Sequence, residues 1–225
     1  MADIFDELNE DLRAERSRTL AIRYGGWAAG LVVLALIGVG GWQGWQWYQD
    51  RQADKAAGPY LAAMTAADAL PLGPTPARAA VADAFAKVVA TGPEGYRTLA
   101  RLREAALRAD AGDSAAALAL WDSAAHDTGA DPILRDLANL LWIQHQVDHA
   151  DPAIITDRLR SLETDGNPWR PLAEEADAML SLRQNDKEAA IRKLRLISVD
   201  PGIAEGLRSR ASGLLTLLGD TGPQG

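Results

Sequence analysis

Between Arg23 and Asp50 the chain carries no charged residue. This stretch, YGGWAAGLVVLALIGVGGWQGWQWYQ from Tyr24 to Gln49, is the strongest constraint on what the sequence can fold into. A helix that crosses a bilayer needs about 20 mainly apolar residues, and the stretch supplies them. Its aromatic residues gather at the two ends, Tyr24 and Trp27 at one and Trp42, Trp45, Trp47 and Tyr48 at the other. Amphipathic rings sit well at the two membrane–water interfaces. The stretch is too long for the apolar part of a cleaved signal peptide, and bulky tryptophans stand where a cleavage site needs small residues. The reading is an uncleaved transmembrane signal anchor over residues 24–49.

Orientation follows from the flanking cations. Arg13, Arg16, Arg18 and Arg23 precede the stretch, whereas only Arg51 and Lys55 follow closely. Positive residues stay on the cytoplasmic side. Residues 1–23 are therefore expected to be a cytoplasmic tail and residues 50–225 an extracytoplasmic domain, periplasmic if the membrane is a bacterial inner membrane. In the tail, Ile4, Phe5, Leu8 and Leu12 fall near one helical face among acids, either a solvated amphipathic helix or one that meets a partner. Within the span, the pairs Gly26/Gly30 and Gly40/Gly44 have the spacing that lets a second helix approach closely. The spanning helix is expected to run on through Gln49–Ala57 until Gly58-Pro59 interrupts it.

Beyond the anchor, apolar content comes mostly from Ala and Leu, with aromatics only 6 % of the chain, which favours helix over sheet. An apolar triplet recurs at i, i+4 and i+7, each followed by a proline: Val81, Phe85, Val88, then Pro93; Ala117, Trp121, Ala124, then Pro132; Ile155, Leu159, Leu162, then Pro168; Ala190, Leu194, Ile197, then Pro201. Such positions stack on one helical face, and a proline opens the next element rather than continuing the last. Turns around Gly112-Asp113-Ser114 and Asn185-Asp186-Lys187 separate a first helix A from a second helix B. Asp131-Pro132 and Asp151-Pro152 read as caps followed by first-turn prolines. Helix A is less regular: Leu99, Leu102 and Ala106 repeat loosely as Leu137, Leu140 and Ile143, then as Ala176, Met179 and Leu182. The expected fold is all-α, a membrane helix followed by a degenerate stack of helix pairs with a period in the mid to upper thirties.

The helix B pattern resembles degenerate tetratricopeptide repeats. The opening span, with its Gly41-Trp42 and Gly44-Trp45 exit and the small-residue helix that follows, resembles the YfgM-like family. That resemblance implies a single-pass inner-membrane protein with a periplasmic repeat domain. Such a protein is an ancillary subunit of the SecYEG translocon, working beside periplasmic chaperones and exported clients. It carries no catalytic motif and implies no cofactor. A structural scaffold in envelope or division assemblies is the alternative.

Residue chemistry agrees with binding rather than catalysis. The chain has no cysteine, which excludes disulfides, thiolate nucleophiles and Cys-based metal sites. A net charge of −8 argues against binding nucleic acid through counterion release. His145 and His149 have the i, i+4 spacing of two metal ligands, but no Glu follows His145, so the zinc-protease pattern fails. They read, like His126, as histidines at helix C-termini. Asp127-Thr128-Gly129 has the letters of an aspartic-protease triplet, but such a site needs a matching carboxylate from a second β-lobe. Arg97, Arg101 and Arg108 share a helix A arc. In tetratricopeptide folds the A helices line a peptide groove, so these arginines are the candidate contacts for a peptide carboxylate. Glu104 lies on the same arc, and a self-neutralised solvated face is the competing reading.

Overall fold

A computed structural model describes residue 31, residues 34–48, residue 51, residues 57–71 and residues 75–220. The chain divides into two compact units, Met1–Gln52 and Ala53–Gly225. The tail 1–23 and the glycines Gly26 and Gly30 lie outside the described residues.

In the second unit every described regular element is helical: α1 (57–68), α2 (Pro76–Thr91), α3 (Glu94–Asp110), α4 (Ser114–Ala125), α5 (Pro132–Gln146), α6 (Pro152–Leu162), α7 (Arg170–Arg183), α8 (Lys187–Val199) and α9 (Glu205–Leu217). From α2 onward each helix packs against the next. The odd-numbered helices are the A members and α2, α4, α6 and α8 the B members. Gly58 and Pro59 stand in the first described turn of α1, and residues 52–56, over which the preceding helix is expected to run, lie outside the described residues. α1 is held by packing: Ala63 is buried, and Tyr60 meets Phe85 and Tyr96 edge to face at 5.7 and 5.5 Å.

Local chemistry sets the boundaries. The carboxylates of Asp113, Asp131, Asp151 and Asp186 accept the N–H groups of Ala116, Ile133, Ala153 and Ala189 at 3.2, 2.8, 2.8 and 2.9 Å. Each cap satisfies a donor that the first turn leaves without a carbonyl. Pro132 and Pro152 take first-turn positions, where a missing N–H costs nothing. Gly112 and Asn185 adopt left-handed backbone, φ 89° and 64°, to reverse the chain between helix A and helix B.

The repeated triplets are the core of the B helices. Phe85, Val88, Ala117, Trp121, Ala124, Ile155, Leu159, Leu162, Ala190, Leu194 and Ile197 are all buried, and Val81 is half-buried against the same cluster as Phe85. The A helices differ because each is packed on two sides. On α3, Ala100 and Leu107 join the cluster of Phe85, while Leu102 and Ala105 join that of Trp121. On α5, Ala138 faces Trp121, while Leu140 and Ile143 face Ile155 and Leu159. On α7, Ala176 and Leu180 belong with Leu159, and Ala178 with Leu194. The A-helix triplets read from the sequence therefore mix two faces. Leu102, Leu140, Ile143 and Ala176 are buried, but Leu99 is 37 % exposed, and Ala106, Leu137, Met179 and Leu182 are half-buried. The helices themselves repeat closely: α3, α5 and α7 open at Glu94, Pro132 and Arg170, a constant step of thirty-eight residues.

α9 is the last helix among the described residues and buries Leu207, Ala211 and Leu215 against α8. Its opposite side exposes Gly206, Ser209, Ser212, Gly213 and Thr216 together with Leu217, 84 % exposed.

In the first unit, residues 34–48 are helical, and Leu34, Leu36, Ile37, Val39, Trp42, Trp45, Trp47 and Tyr48 are all exposed. The Arg51 guanidinium lies 4.1 Å from the Trp47 ring centroid. Among the described residues no helix is long and apolar enough to cross a membrane. The expected span 24–49 falls partly on residues outside that set.

Candidate protein-binding face

The thirty-eight-residue step turns the A helices into a grid. Advancing Leu99, Arg103 and Ala106 of α3 by one step gives Leu137, Leu141 and Gln144 of α5, and by two gives Glu175, Met179 and Leu182 of α7. All nine are half-buried or exposed. Neighbouring A helices approach each other, α3 with α5 and α5 with α7, while no pair of B helices makes comparable contact. Helices on the inside of a curved stack lie closer together than those outside, so the grid lies on the inner face. Five of its nine positions are large and apolar: Leu99, Leu137, Leu141, Met179 and Leu182. Leu137 and Leu141 pack partly on the Trp121 cluster and Met179 and Leu182 on the Leu194 cluster, so successive A helices each leave apolar side chains half-exposed, surface of the kind that a protein partner covers.

Of the two charged grid positions, Arg103 is exposed and Glu175 is paired. Glu175 accepts two hydrogen bonds from Arg210 of α9 at 3.0 and 2.8 Å. Such a bidentate pair fixes orientation as well as charge. Asp110, at the C-terminal end of α3, pairs with Arg78 at 2.9 Å.

The arginines singled out from the sequence lie on a neighbouring arc of α3. Arg101 donates to Asp127, beyond the end of α4, at 2.9 Å, and holds the Asp127 carboxyl below the usual range. Arg108 donates to Asp83 of α2 at 2.6 Å and lies 3.6 Å from Glu104. Glu104 is buried, and burial pushes its carboxyl pKa up against the opposing pull of Arg108. Arg97 is half-buried and its Nε has no hydrogen-bond partner. Arg101 and Arg108 thus tie α3 to the end of α4 and to α2, while Arg97 acts on Asp127 only through its charge. Sequence spacing showed the Glu104–Arg108 neighbourhood but not Asp83 or Asp127, which the tertiary fold brings in.

Two concavities adjoin the A helices. The larger, about 660 Å³, lies among α5, α6 and the end of α4 and includes Arg135, Asp136, Asn139 and Arg158. Arg158 is fully engaged there. It pairs with Asp122, donates to Asn139 Oδ1 at 3.0 Å and lies 3.9 Å from the Trp142 ring centroid. The smaller, about 290 Å³, lies between α4 and the end of α5 and includes Trp121, His145 and His149. His145 stands in the last turn of α5, with Nδ1 2.8 Å from the carbonyl of Leu141, whereas His149 sits in the following turn. Among the described residues no group of three or more His, Asp or Glu is placed to hold a metal.

On the first unit, Gly40 and Gly44 lie in the helix of residues 34–48, with open space where a Cβ would stand.

Stacked helix pairs with half-exposed apolar side chains on their A helices define a helical-repeat, protein-binding class. The model of the tetratricopeptide repeat-like domain matches residues 22–190, from just ahead of the apolar segment to the start of α8. The chain belongs to that family. No curated protein and no solved structure matches the chain.

Proposed function

We propose that the protein is a membrane-anchored scaffold that binds other proteins non-covalently, as an ancillary subunit of the Sec translocon serving periplasmic chaperones and exported chains. The observation that carries the binding role is the apolar centre of the inner face, Leu99, Leu137, Leu141, Met179 and Leu182, on rigid helices. Burying such side chains against a partner releases about 25 cal/mol per Å² of apolar surface.

The anchoring role rests on the charge-free stretch and on the exposed aliphatic and Trp side chains of residues 34–48. In water that surface would be an association hazard, whereas lipid removes the cost of exposing it. The family match, residues 22–190, spans the apolar segment as well as the helix pairs. The translocon assignment comes from resemblance to the YfgM-like family. Anchoring raises the local concentration of the inner face around membrane machinery.

A reporter that works only outside the cytoplasm, fused after Gly225, is expected to be active. Photo-crosslinkers at Leu141 and Met179 are expected to trap exported chains or chaperones, and one at Gly44 translocon subunits. A stable but inactive fusion overturns the topology. Adducts confined to cell-wall or division proteins overturn the translocon role.

A further inference from the structure

We infer that the pocket between α4 and α5 is a binding site for an uncharged aromatic ring carrying a hydrogen-bond donor, a phenol or an indole. The repeat itself exposes the feature. Leu107, His145 and Arg183 occupy one position at successive thirty-eight-residue steps. Leu107 is buried in the core beside Phe85. Arg183 reaches back to the turn after α5 and donates to the carbonyls of Val147 and Ala150 at 2.8 and 2.6 Å. In α5 the position holds His145, whose ring packs on Trp121 with centroids 4.3 Å apart. Beside it lies a pocket of about 290 Å³.

The chemistry of the walls selects the ligand. Ala117, Leu118 and Trp121 supply apolar surface; Ser114, Gln146, His145 and His149 supply hydrogen-bonding groups; no carboxylate, lysine or arginine lines the pocket. Ser114, His145 and His149 are exposed and form its mouth, while the inner wall offers a charged ligand no counter-ion. The volume is at the lower end for small-molecule sites, which suits one ring system. The Leu141 carbonyl only accepts, so Nδ1 of His145 is the donor to it, and in the tautomer with a single ring proton Nε2 is left as an acceptor. A phenol O–H or an indole N–H complements that acceptor. Trp121 is 1 % exposed and its own indole N–H has no acceptor, so the wall contains a polar group that the fold leaves unsatisfied. The ring is either a side chain of a bound polypeptide, in which case the inference rests on the scaffold reading, or a free small molecule.

The chain has three histidines, so their imidazole C–H resonances form a compact reporter set, with His126 at the end of α4 as the control. The full chain in detergent micelles would be titrated with N-acetyl-tyrosinamide. Saturable shifts of His145 and His149 with His126 unmoved are the expected result, lost in Leu118→Arg when circular dichroism shows that variant folded. No saturable shift at either histidine overturns the inference, as do equal shifts with N-acetyl-leucinamide. An apolar peptide with one tyrosine separates the sources. If it binds about tenfold tighter than its Tyr→Leu variant, as an aromatic anchor does, and more tightly than the amide, the ligand is a polypeptide side chain. Equal affinity for amide and peptide assigns a free ring. Peptide binding seen at the Leu141 and Met179 methyl groups without histidine shifts overturns the pocket while leaving the scaffold reading intact.

Discussion

At the scale of single residues, Trp121 is the most informative side chain. It stands in the middle of a repeated triplet, 1 % exposed, in contact with α3 and α5 side chains of its cluster. Trp121→Ala is expected to destabilise the domain by about 3–5 kcal/mol, the usual cost of emptying a large aromatic core position. Urea unfolding reads this directly, and an effect near zero would refute the register of α4. Glu163 carries a different lesson. Burial is the main cause that raises its carboxyl pKa from 4.5, helped by the neighbouring Asp177 and Glu174 and opposed by Lys193. The folded chain then holds this proton above the pH at which the unfolded chain releases it. Stability falls as pH rises from about 4.5 through the raised folded value. Glu163→Gln is expected to be more stable than the parent at pH 7 and to converge with it below pH 4.5. Parallel melts across that range would show no linkage.

At the scale of elements, the contrast between A and B helices has a geometric cause. A B helix buries one face, so its apolar residues follow a single i, i+4, i+7 stripe that is visible in the sequence. An A helix packs between two neighbours and also lines the inner surface, so three stripes of different character overlap. Small residues occupy the tightest contacts: Ala100 and Ala138 are fully buried at equivalent positions one step apart. Ala138→Leu is therefore expected to cost about 1–3 kcal/mol through overpacking of α5 against its neighbours. A thermal melt no lower than the parent's would mean that those helices have room to separate. The caps worked the other way, since Asp131-Pro132 and Asp151-Pro152 act within one turn and needed no tertiary partner.

At the scale of the whole molecule, stability resides in contacts between neighbouring helices. Four clusters of buried residues run along the second unit, each built from successive elements. Repeat stacks of this kind are held by nearest-neighbour interfaces. Residues 53–225 expressed alone are expected to be soluble and predominantly helical by circular dichroism, with a melt close to that of the full chain. Substantial sheet, or aggregation on removal of residues 1–52, would refute that independence.

The sequence by itself determined the helical class, the four B-helix stripes, the caps and the approximate period. Each depends on residues within a turn or two of one another, or on the fixed periodicity of a helix. Only the tertiary structure decided which A-helix residues face inward, because Leu99 and Leu102 are equally apolar and differ only in what lies opposite them. It also decided where the arginines go. Arg101 and Arg108 share an arc with Glu104, yet their closest partners, Asp127 and Asp83, come from other elements. Charge pairing across such separations depends on how helices are brought together, which no local spacing encodes.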